Sequence, residues 1–136
     1  MRIILILFFV GLLISPVSAD MGGFFGSRGI GNPPPPLRLL YPVTENVDLK
    51  GKDALEFKWM TSDYSLTDHY EFKLYKGYKT VSESLIMKEE VDKDEGSFKV
   101  KVDVFEDGAV YTWTLKRITW SGEKSDSSFN SFRVSK

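Results

Sequence analysis

With 136 residues, 18 basic and 19 acidic side chains, the chain is close to neutral, and no Lys/Arg stripe stands out, which argues against a nucleic-acid ligand. It has no cysteine, so disulfides, thiolate metal sites, a cysteine nucleophile and a lipid-modified N-terminal cysteine are all excluded. The roughly 100 residues beyond the compositionally biased N-terminus suffice for one core but not for two domains.

The chain opens with Met1-Arg2, continues through the apolar run Ile3 to Ile14, and ends that run with the small residues Ser15 to Ala19. Twelve apolar residues fall short of the roughly 17 to 25 that span a bilayer. Residues 1–19 therefore read as a secretory signal peptide cleaved after Ala19, leaving no stable membrane anchor and a secreted or periplasmic chain. Residues 20–36, DMGGFFGSRGIGNPPPP, form a Gly/Pro-rich flexible leader whose last four prolines favour an extended polyproline II segment. Such a stretch serves as a spacer. The apolar Phe24 and Phe25 within it also offer anchors for a partner or for an exposed sheet edge.

From Leu37 onward the pattern is that of strands. Leu37 to Tyr41 begins the first, Pro42 interrupts it, and Val47 and Leu49 carry apolar contacts to the turn at Lys50–Asp53. Ala54 to Trp59 alternates as a second strand. After the Ser/Thr/Asp-rich loop at 60–67, His69 to Tyr75 places Tyr70, Phe72 and Leu74 on one face and Glu71, Lys73 and Tyr75 on the other. A weaker strand is centred on Ser84 to Glu89, and Ser97 to Val104 alternates again through Phe98, Val100 and Val102. Phe105, the turn residue Gly108 and Tyr111 lead into a strand with Tyr111, Trp113 and Leu115 inward and Thr112, Thr114 and Lys116 outward. The last strand turns Phe132 and Val134 inward. No segment sustains helical spacing beyond the signal peptide.

The constellation of Trp59, Phe105, Gly108, Tyr111, Trp113 and Phe132 resembles the fibronectin type III domain over residues 37–136. The resemblance implies an all-β, seven-stranded antiparallel immunoglobulin-like sandwich. In it Trp59 fills the inter-sheet core and Tyr111 forms the tyrosine corner, its hydroxyl bonded to backbone upstream. Arg117 departs from the family pattern, since simple alternation turns it inward where a small apolar residue is usual. Either a bulge brings Ile118 inward instead, or Arg117 snorkels out at the sheet end.

Chemistry-bearing patterns are weak. His69 is the one histidine and lacks a hydrolase motif around it. The acidic run Glu89 to Glu95 lacks calcium-loop spacing, and Glu106 and Asp107, adjacent on a tight turn, point apart rather than to one substrate. No catalytic, cofactor-binding or metal site is expected, and the chain reads as a non-enzyme. The candidate interaction surface is the outer face of the sheet built by the third, sixth and last strands, with Tyr75, Tyr78, Ile118 and Trp120 as its apolar members and Phe24 and Phe25 as leader anchors. The expected role is a secreted binding module recognising a protein or polysaccharide at the cell envelope or outside. The alternative is a structural subunit of an envelope or extracellular assembly that uses the Gly/Phe-rich leader for subunit contacts.

Overall fold

Apolar side chains at every second position, as in Leu55, Phe57 and Trp59, build two facing sheets. The computed structural model describes residues 32–61 and 64–136, whose folded unit runs from Pro33 to Lys136. The signal-peptide and most of the leader assignments, with Phe24 and Phe25, lie outside the described residues.

The strands are β1 (Leu39–Tyr41), β2 (Asn46–Asp48), β3 (Ala54–Trp59), β4 (Thr67–Lys76), β5 (Leu85–Asp92), β6 (Ser97–Lys101), β7 (Val110–Thr119) and β8 (Ser128–Ser135). One sheet has the order β1-β3-β6 and the other β2-β8-β7-β4-β5. Among the described residues there is no α-helix, only single 3₁₀ turns at Ser82–Ser84 and Val102–Val104.

Between the sheets lies an aromatic core. Phe57 of β3 meets Phe72, Trp113 and Phe132 of the opposite sheet at ring-centroid distances of 5.0, 4.9 and 6.0 Å. Trp59 packs edge-on to Tyr70 at 5.9 Å. Each such pair adds about 0.5–1.5 kcal/mol beyond area burial. The Trp59 Nε1 and Tyr70 Oη are buried without a protein partner, so both residues hold their places through ring packing rather than through their polar atoms.

The architecture corrects the expected strand count and pairing. Among the described residues there are eight strands rather than seven, and β2 runs parallel to β8, so the second sheet is mixed. The change comes at Pro42, which has no N–H to continue the β1–β3 ladder. The chain leaves one sheet there and joins the other at Asn46. The Pro42 carbonyl anchors this crossing by accepting bonds from Trp113 Nε1 at 3.0 Å and Asn130 Nδ2 at 2.9 Å. The expected strand over Ser97–Val104 ends at Lys101. Val102 and Val104 still pack against the core from the following 3₁₀ turn, so the apolar alternation outruns the ladder.

Neither reading of Arg117 holds. The irregularity in the β4–β7 ladder falls between Thr67 and His69, beyond Arg117, so the guanidinium stays on the core face. It is 1% exposed and does not reach solvent. Its Nε donates to the Pro35 carbonyl at 2.9 Å, its Nη1 donates to Thr67 Oγ1 at 2.7 Å, and its plane lies 5.1 Å from the centre of the Tyr64 ring. The Pro33–Pro36 stretch, which composition assigns to a flexible leader, therefore belongs to the folded unit. Pro34 is buried, and Pro35 supplies an acceptor that a buried cation requires.

Candidate functional site: a groove on the outer face of the larger sheet

From His69 to Lys76 the β4–β7 ladder keeps one register, so the outward residues of the two strands form two adjoining rows. Glu71, Lys73 and Tyr75 of β4 stand opposite Lys116, Thr114 and Thr112 of β7. Phe129 of β8 stands opposite Thr114 on the far side of β7. After β4 the chain turns at Gly77, whose φ of 93° suits glycine. Gly77 N–H donates to the Val110 carbonyl at 2.7 Å, and its own carbonyl accepts from Thr112 Oγ1 at 2.8 Å. This pinned turn carries Tyr78 and Thr80 to the edge of the face. The result is a groove of about 560 Å³ lined by Glu71, Lys73 and Tyr75 of β4, Thr114 and Lys116 of β7, Phe129 of β8, and Tyr78, Thr80 and Ser127.

The groove has an apolar side and a charged side. Tyr75 is 7% exposed and forms part of its floor, whereas Tyr78 and Phe129 stand 69% and 67% exposed. On the charged side Glu71 is largely buried, with Lys73 Nζ at 3.7 Å and Lys88 Nζ at 3.5 Å from its carboxylate oxygens. Burial pushes the Glu71 carboxyl up, but Lys73, Lys88 and Lys124 outweigh it and hold the group below the ordinary glutamate range.

The expected surface residues divide in two. Tyr75 and Tyr78 meet in the groove, although Tyr75 serves as floor and not as an exposed anchor. Ile118 lies on the outer face beside His69, but at 7% exposure it is no contact surface; it is covered where the chain folds back to bridge it with Lys124. Trp120 is 66% exposed just beyond β7, where its N–H donates to the Leu66 carbonyl. It lies four residues beyond Lys116, roughly 13 Å at about 3.3 Å per residue, and does not line the groove. Phe129 was not among the expected residues. Its signal was parity, since a strand that turns Phe132 and Val134 inward turns Phe129 outward.

The core residues Trp59, Phe105, Tyr111, Trp113 and Phe132 are all at most 2% exposed. Tyr111 Oη accepts the Glu106 N–H at 2.8 Å while Phe105 packs edge-on to its ring at 5.0 Å. Glu106 pairs with Lys76 at 2.9 Å, and Asp107 accepts the Lys136 backbone N–H at 2.8 Å, so the two carboxylates serve different partners. His69 Nδ1 lies 2.7 Å from the neighbouring Asp68 carboxylate. Among the described residues no group of three or more histidine or acidic side chains is arranged to hold a metal ion.

No protein-family model matches the sequence, and no curated protein matches it. Among solved structures, the fibronectin type III domain of human contactin 1 is similar, with a TM-score of 0.51 and 12% sequence identity over 82% of this chain and 92% of that one. That likeness resides in the backbone, and with the two sheets and the Tyr111 corner it establishes that this chain has the fibronectin type III fold.

Proposed function

We propose that the protein is a secreted, non-catalytic binding module that acts in the periplasm or outside the cell. The fold is one that generally serves interaction. The observation that carries the reading is the outer-face groove, where exposed Tyr78 and Phe129 flank hydroxyl and charged side chains. Two large rings, Phe129 on a strand and Tyr78 on the turn pinned at Gly77, gain contact area at little entropic cost, which suits recognition of a polymer. The supporting experiment is capture of envelope polysaccharides and proteins by the full chain and by its Tyr78→Ala/Phe129→Ala variant. Loss of at least about tenfold in affinity in the variant, equivalent to about 1.4 kcal/mol, is expected. Equal capture by both would move binding away from this face.

A second reading, a structural subunit joined through the leader, is favoured by the edge of the larger sheet. There β5 is paired on one side only among the described residues, and it exposes Leu85 and Ile86 by 38% and 40%. Self-association that disappears on removal of residues 20–32 would select this reading.

A further inference from the structure

The ligand class follows from what a sheet face offers and what it lacks. Strands β4 and β7 are paired on both sides, so their backbone groups are spent in the ladders beneath the groove. A peptide laid there finds no edge to extend as an added strand. A polymer of hydroxylated rings instead finds two exposed aromatic rings, Tyr78 and Phe129, and the side-chain hydroxyls of Thr80, Thr114 and Ser127.

Charge narrows the class further. Lys73 and Lys116 line the groove, and Lys88 and Lys124 act on the same Glu71 carboxylate. Among the residues that line the groove, the two lysines stand against the single carboxylate of Glu71, a positive excess. Lys73 and Lys88 are both engaged with Glu71, whereas Lys116 has no carboxylate within salt-bridge distance among the described residues. Its side chain lines the groove.

Resting on the binding reading above, we propose that the groove binds a linear polysaccharide carrying carboxylates, a polyuronate, with sugar rings against Tyr78 and Phe129 and a carboxylate on Lys116. The test is calorimetry of the full chain with polygalacturonate and alginate, with dextran as neutral glycan and poly-L-glutamate as acidic peptide. Saturable binding to the polyuronates that weakens with salt is expected, with dextran at least about tenfold weaker. Tyr78→Ala/Phe129→Ala and Lys116→Gln should each weaken polyuronate binding about tenfold with unchanged unfolding midpoints, and Lys116→Arg should retain it. Dextran binding as tightly as the polyuronates, and still depending on Tyr78 and Phe129, would overturn the carboxylate assignment while leaving the binding module intact. Poly-L-glutamate binding equally well would overturn the sugar assignment. Polyuronate binding untouched by the groove variants would overturn the site. Absence of binding to every probe, with capture from the envelope also indifferent to the groove variants, would remove the binding reading itself.

Discussion

Tyr111 shows how much one residue reports when its surroundings are read with it. The spacing Phe105, Gly108, Tyr111 is legible in the sequence because each residue type answers a local need: a ring to pack against, a turn with φ of 82°, and a hydroxyl that reaches back. Tyr111→Phe keeps the ring and strands the Glu106 N–H. The expected loss is about 0.5–1.5 kcal/mol for the bond, rising to about 1–3 kcal/mol if the N–H stays away from water. Urea denaturation measures it, and an unchanged midpoint would mean that the corner contributes nothing to stability. Arg117 was legible only in part. Alternation turned it inward correctly, but its acceptors come from Pro35 and Thr67, 82 and 50 residues away in sequence, and no local pattern reveals partners at that separation.

At the scale of elements, alternation succeeds where a strand is long enough to show a period. β4 and β7, with ten residues each, display both faces in their sequences. β1 and β2, with three residues each, are too short to carry one, so the division of the first segment between two sheets was hidden. The groove was half visible for a related reason. Tyr75 and Tyr78 stand out as aromatics, but Glu71 acquires its setting from Lys73 on its own strand together with lysines on two other segments, Lys88 on β5 and Lys124 after β7. Since the folded carboxyl titrates below the ordinary value of 4.5, Glu71 contributes stability that is fully present above that value and is lost as pH falls through the depressed one. Denaturant midpoints should therefore decline on acidification below about pH 4.5, and Glu71→Gln should be less stable at neutral pH with a shallower acid limb. Parallel pH profiles for the two proteins would show that the lysines around Glu71 do not stabilise the fold.

For the whole molecule, the boundary of the fold matters more than the number of strands. Composition groups Pro33–Pro36 with the glycines before them, because both lack helix and strand propensity. The structure separates them: Pro34 is buried, and the Pro35 carbonyl meets a guanidinium that is 1% exposed. A buried cation whose acceptors are neutral depends on every one of them. Two truncations distinguish a spacer from a structural part. A chain beginning at Pro33 should unfold at the same urea concentration as one that begins at Asp20. A chain beginning at Leu37 loses the Arg117–Pro35 bond, worth about 1.5–3 kcal/mol for a charged donor, together with the cover over that end of the core. Its midpoint should fall accordingly, and Arg117→Met in the shortened chain should recover part of the loss by removing the unpaired charge. Equal midpoints for the chains beginning at Pro33 and Leu37 would make the prolines a spacer after all, and would leave Thr67 and Tyr64 as sufficient company for Arg117.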